Sequence, residues 1–209
     1  MENVMQAIAV YAIPVLFAIT VHEASHGYVA RMFGDNTAYV LGRVTLNPIK
    51  HIDPLGTIAI PLAMVLTTGY MFGWAKPVPV DWSSLRRPKR DMIWVAAAGP
   101  GANLVMAIVW AILLSTLQAT GVQERFFFEV AQAGIRANLV FMALNLLPIP
   151  PLDGGRIVAG LLPNRLSYLY SKIEPFGLFI IIGLMFTPVL GILLTPFLRF
   201  GQEIVRIFL

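Results

Sequence analysis

The chain has 209 residues, of which 57% are hydrophobic and only 12% charged, and its mean hydropathy is +0.75. A soluble domain carries about 25% charged residues, and a chain this apolar cannot cover a soluble surface with charge. Composition therefore excludes an ordinary cytosolic enzyme and a disordered chain, and leaves a polytopic membrane protein. The net charge of +4 sits mostly in connectors between apolar runs, which fits positive-inside topology and not nucleic-acid binding. With no cysteine in the chain, disulfides, cysteine metal ligands and a cysteine nucleophile are all excluded.

The first charge-free stretch, 3–21, has no Lys/Arg-rich start and no small-residue cleavage site, so it reads as a retained membrane helix. Continued to about Phe33, that helix carries His22, Glu23 and His26 within it. Residues 38–49 are rich in Val, Tyr and Thr around a central Gly and end on Asn-Pro. That composition predicts a short β-hairpin, whose edge would pair with an extended peptide. The stretch 54–75 is interrupted by Gly56, Pro61, Gly69 and Gly73.

Its flanks decide how it is read. Residues 31–53 carry Arg31, Arg43 and Lys50, and residues 74–91 carry Lys76, Arg86, Arg87, Lys89 and Arg90. Both connectors are assigned to the cytosol, so 54–75 is expected to be a re-entrant segment buried against protein. The stretches 92–123 and 175–198 are long enough to span. So is 137–152, if it begins near Val130 and Arg136 snorkels to an interface. Glu124 and Glu129 put the 118–129 connector outside, and Arg165 and Lys172 return 163–174 to the cytosol. The tail 199–209 reads as an interfacial amphipathic helix. The expected fold is an all-α polytopic membrane protein of about four to five transmembrane helices, with a re-entrant segment and a small β-hairpin. It forms one domain over 1–209, with a catalytic core at about 15–160.

The chemistry concentrates in His22-Glu23-Ala24-Ser25-His26. Positions i and i+4 share a helix face, so both imidazoles reach one Zn²⁺, with Glu23 beside them as a base for the attacking water. A polar face lining a transport pathway is the plainer reading. Ionisable groups at membrane depth are costly and functional by default, which favours the metal. A catalytic zinc needs a third protein ligand. Asp153 follows three prolines and precedes two glycines at the end of the fourth apolar stretch, on backbone of the kind that lines cavities. A helix N-cap is its alternative role. His51 and Asp53, in a connector, are the rivals for the ligand position.

The sequence resembles the site-2 protease family of intramembrane zinc metalloproteases, in its short form without a PDZ domain. The resemblance rests on HEASH at 22–26, Gly99-Pro-Gly-Ala-Asn103, and the run from Asn145 to Gly155, NLLPIPPLDGG. It is supported by GRVTLNPIKHIDPLG at 42–56 and GWAKPVPV at 73–80. It implies His22, His26 and Asp153 as zinc ligands, Glu23 as catalytic base, and hydrolysis of peptide bonds in or beside transmembrane segments. The setting it implies is the lipid bilayer of a prokaryotic cell membrane, with the site toward the cytosolic half.

Gly99 and Gly101 would let the third span approach the first closely. Asn103 would bind substrate backbone or orient the site, with interhelical glue as its plainer role. Asn145 would bind a peptide carbonyl or cap a helix end. The 38–49 hairpin and the Lys76–Val80 segment would pair with an unwound substrate. The alternative function is a membrane transporter or metal/proton carrier built on the same cluster, which predicts an internal repeat that the sequence lacks. An idle membrane chaperone is a third reading. No nucleic-acid partner is expected, the partner being a transmembrane protein substrate, and homo-oligomerisation is left open.

Overall fold

A computed structural model describes residues 2–60, 73 and 75–209. In chain order its longer elements are α1 (Glu2–Met32), the single turn α2 (Thr37–Val40), α3 (Pro88–Ala119) and α4 (Arg125–Asn145). Then follow α5 (Asp153–Leu161), α6 (Asn164–Ser171), α7 (Glu174–Met185) and α8 (Val189–Arg206). Helices α1, α3 and α4 pack against one another, α5 lies on α3, and α8 returns onto α4.

Among lipid tails an apolar side chain gains little by turning inward, so helices associate where small residues let their backbones approach. Ala18 of α1, Ala107 and Ala111 of α3, and Ala131 and Ala143 of α4 are all fully buried. Larger side chains fill the gaps that remain. Leu139, Met142 and Val205 complete a core with Ala107 and Ala111. A second cluster, Ala30, Leu85 and Val95 with Phe33, Val80 and Trp82 against them, fastens the chain before α3 to the end of α1.

Among the described residues, three helices are long and apolar enough to cross a membrane: Ile8–Met32 within α1, then α3 and α4. The pair α6 and α7, bent by 60°, makes a fourth only if taken together. Among the described residues, then, the expected four to five spans come down to three, with the lower figure of four reached only through the bent pair. The expected span at 175–198 is two helices, because α7 ends at Met185 and α8 begins at Val189, just after Pro188. The tail helix accordingly starts at Val189, ten residues before the expected amphipathic segment.

The expected β-hairpin is absent, and 38–49 contains no strand. Local capping outweighs the strand propensity of Val, Tyr and Thr here. Asp35 Oδ1 accepts from the Thr37 N–H at 2.8 Å and opens α2. The N–H groups of Leu41 and Arg43 turn back to the carbonyls of Thr37 and Ala38. Asn47 Oδ1 accepts from the Ile49 N–H at 3.1 Å and opens a 3-10 turn at Pro48–His51. Those donors are spent within the segment, so the edge expected to receive a peptide does not exist. Asp53 caps a π-helical turn at Pro54–Ala59. Residues 61–72 and 74, which hold most of the expected re-entrant segment, lie outside the described residues.

Candidate metal centre

His22 and His26 lie on one face of α1, four residues apart, and both are buried. Each ring is held by a different partner. His22 Nδ1 lies 2.7 Å from Asn103 Oδ1 on α3. The orientation of that amide is fixed, because Asn103 Nδ2 donates to the Ala18 carbonyl at 3.1 Å and a carbonyl only accepts. Its oxygen must then face His22, so the ring donates from Nδ1. His26 Nδ1 donates to the Val95 carbonyl, also at 2.7 Å. In the neutral rings both Nε2 atoms therefore carry lone pairs, and they stand 3.1 Å apart.

Asp153 supplies the third atom. The prolines at 148, 150 and 151 stop the chain from extending α4, and α5 opens at Asp153 itself. A Cβ at Gly154 would strike the carbonyl oxygens of Leu146 and Leu147, so only glycine lets α5 start this close to the preceding turn. Asp153 Oδ2 thereby reaches 3.2 Å from His22 Nε2 and 3.4 Å from His26 Nε2. This oxygen is buried and accepts no hydrogen bond.

With both rings neutral, three lone-pair atoms thus converge, an arrangement that is costly unless a proton or a metal cation occupies the centre. Two ligands on one tetrahedral zinc, with bonds of 2.0–2.1 Å, lie roughly 3.3 Å apart. The observed separations of 3.1, 3.2 and 3.4 Å match that spacing, and the donor set of two imidazoles and a carboxylate suits Zn²⁺. Among the described residues these three form the one such cluster. Gly99 makes room for it, since a Cβ there would meet His26 Nε2 and lie 2.5 Å from His22 Cε1. Gly101 has nothing within 4 Å of its would-be Cβ and takes no part in this packing.

Glu23 is half-buried beside the cluster, and its Oε2 accepts from the Val78 N–H at 2.7 Å. Val78 belongs to an extended strap that crosses α1. The Lys76 N–H donates to the His51 carbonyl at 2.9 Å, and Arg43 holds the carbonyls of Lys76 and Pro77. His51 is buried and donates from Nε2 to the Thr45 carbonyl, so it braces the strap and stands outside the cluster. Asp53 is a helix cap. Asn145 donates to the Phe141 carbonyl one turn back along its own helix.

Two contributors escaped the sequence reading. Asn138, fully buried, accepts from Asn103 Nδ2 at 3.0 Å and donates to the Gly134 carbonyl at 2.8 Å. An amide inside the apolar run 137–152 was its visible signal. The main-chain N–H of Val78 left no mark in the sequence beyond the prolines on either side.

Comparison with known proteins places the chain in a family. The chain is 38% identical to YwhC of Bacillus subtilis (strain 168), an alignment covering 91% of the chain and 86% of that protein. It is 31% identical to Rip2 of Mycolicibacterium smegmatis, over 84% of the chain and 66% of the relative. It is 26% identical to MJ0392 of Methanocaldococcus jannaschii, over 93% of the chain and 49% of the relative. The words zinc metalloprotease stand in all three names. No solved structure matches. Residues 10–137, which include His22, Glu23, His26, Gly99 and Asn103, match the sequence profile of peptidase family M50, and the chain belongs to that family.

Proposed function

We propose that His22, His26 and Asp153 hold one Zn²⁺ and that Glu23 is the base that drives peptide hydrolysis. The chain is an integral-membrane zinc metalloprotease acting on membrane proteins. The observation that carries the residue assignment is the convergence of three potential ligand atoms at 3.1–3.4 Å, with both imidazole Nδ1 positions already committed. Nothing in the fold or the family favours the ion-carrier alternative.

When bound, Zn²⁺ acts as a Lewis acid on the scissile carbonyl and lowers the pKa of the attacking water toward about 7. Glu23 takes the proton from that water and delivers it to the departing amine, which balances the hydrolysis. Asn103 and Val95 keep the two rings aimed at the centre. A substrate helix has every backbone group bonded within itself, so the scissile segment must unwind before it reaches Glu23.

Arg31, Arg86, Arg87, Lys89 and Arg90 gather at the end of α1 and the start of α3. By the positive-inside rule those ends face the cytosol of a prokaryotic cell. His26 is six residues from the end of α1, roughly 9 Å along the helix, which supports a centre in the cytosolic half of the membrane. The catalytic core then spans about 15–160 of a single domain, 1–209.

The test separates the base from the ligand. Glu23→Gln keeps the side-chain shape and is expected to retain one zinc per chain while losing about 10²–10⁴ in turnover of a single-span substrate. Asp153→Asn substitutes a weaker neutral ligand and is expected to lose both zinc and turnover. Full zinc in Asp153→Asn with loss in His51→Ala would transfer the ligand role to His51.

A further inference from the structure

We infer that the start of α3 carries a binding site for the phosphoryl headgroup of an anionic phospholipid, separate from the metal centre. A hollow of about 290 Å³ is lined there by Phe33, Arg86, Arg87, Arg90, Asp91 and Trp94. Three arginines and one aspartate line it. Asp91 is only 5% exposed, and its Oδ2 is occupied by the Arg87 N–H at 2.8 Å. Asp91 is thereby committed to the end of the helix. None of the three arginine side chains forms an ion pair or a hydrogen bond among the described residues. The hollow therefore keeps a net positive charge, with planar donors suited to phosphate oxygens.

Its position argues for a lipid over a free anion. Trp94 is 57% exposed and sits one turn beyond Arg90 on α3, a helix long enough to cross the membrane. Trp94 is six residues from the start of that helix, roughly 9 Å. An exposed indole at that depth fits the band where tryptophans meet lipid headgroups. Basic pockets on the cytosolic side of spanning helices suit anionic headgroups, and the aromatic wall formed by Phe33 and Trp94 would meet the lipid's acyl end.

The site also joins two elements that build the metal centre. The Arg86 N–H donates to the Phe33 carbonyl at 2.9 Å, which ties the chain before α3 to the turn that ends α1. A phosphate shared by Arg86, Arg87 and Arg90 would fasten the segment before α3 to the first turn of α3, and through the Arg86 N–H it would hold that segment against the end of α1. This placement does not depend on the identity of the metal or on turnover.

Binding is measured with the full chain in neutral detergent, titrated with dioctanoyl phosphatidylglycerol, dioctanoyl phosphatidylcholine or inorganic phosphate, and read by thermal shift and native mass spectrometry. Phosphatidylglycerol is expected to bind more tightly than either other probe. Arg87→Gln and Arg90→Gln are each expected to weaken it roughly fivefold, whereas Arg199→Gln on α8 leaves it unchanged. If the glutamine variants fail to fold, the unaltered chain decides: raising the salt from about 0.05 to about 0.5 M is expected to weaken phosphatidylglycerol binding several-fold, and phosphatidylglycerol binding indifferent to salt would overturn the assignment. Equal binding of phosphatidylcholine, phosphate as tight as the lipid, or affinity indifferent to both arginines would overturn the assignment.

Discussion

Asn138 on α4 accepts a hydrogen bond from Asn103 on α3 at 3.0 Å, and neither side chain has any exposed surface. Each amide is pinned by a carbonyl that can only accept, Gly134 for Asn138 and Ala18 for Asn103. Neither can flip without burying an unpaired group, at a cost of about 1–3 kcal/mol. The pair converts the packing of α1, α3 and α4 into the orientation of one imidazole. Outer partners of this kind fix the tautomer and direction of a metal-binding histidine.

Asn138 touches no ligand atom, yet its removal is expected to reach the metal. Asn138→Leu should leave one hydrogen of the Asn103 amide without its buried acceptor, loosen the hold on His22 that the Ala18 carbonyl then maintains alone, and weaken zinc binding about 10–100-fold, measured by competition with a chromogenic chelator. A purely structural role would lower the melting temperature of zinc-loaded protein and leave the zinc affinity alone. That outcome would remove Asn138 from the chain of positioning contacts.

Gly99 and Gly101 occupy similar places in the sequence and are expected to respond in opposite ways. A Cβ at Gly99 meets the rings of His22 and His26, whereas one at Gly101 meets nothing within 4 Å. Gly99→Ala should lose zinc because the rings must shift. Gly101→Ala should keep zinc and gain about 0.5–1 kcal/mol of helix stability, readable by thermal unfolding in detergent. Equal zinc content in the two variants would refute the close-approach account of Gly99.

The part of the site that could be read from sequence is the part with fixed helical spacing. His22, Glu23 and His26 announce themselves because a four-residue step on a helix has one geometric meaning. Asp153 stands out in the sequence as a candidate because prolines and glycines around an acid at membrane depth demand a special backbone, and the structure brings it beside both histidines. Asn138 was overlooked because its function depends on which neighbour α4 faces, and no spacing rule encodes that. The same limit explains the hairpin. Val, Tyr and Thr favour strands only where a partner strand exists, and Asp35 and Asn47 had already directed that backbone into local turns. The run 175–198 is long enough to span on apolarity alone, but Pro188 lies within it and the chain divides there into α7 and α8.

The membrane placement makes a geometric prediction. Ser83 and Gln123 are exposed and flank the two ends of α3. Cysteines introduced singly at these positions, into a chain that has none of its own, should react with an impermeant maleimide from opposite faces, Ser83 from the cytosol. Labelling of both from one face would show that α3 does not cross.

The strap over α1 offers the most direct way to disturb the base without touching the metal. Pro77 and Pro79 have no N–H, so the donor that Val78 gives to Glu23 Oε2 at 2.7 Å is the only one available at that point of the strap. Val78 also packs its side chain near Gly27, where an added Cβ would come within 3.0 Å of Val78 Cγ1. The two contributions can be divided. Val78→Ala removes the packing and keeps the N–H, while Val78→Pro removes the N–H from a segment already extended by its neighbours. A hydrogen bond to a charged group contributes about 1.5–3 kcal/mol, so Val78→Pro should lower kcat roughly 10- to 100-fold with zinc content unchanged. Val78→Ala should cost far less. If alanine is as damaging as proline, packing holds the strap and the N–H does not position Glu23. If proline strips the zinc, the strap supports the whole centre and not the base alone.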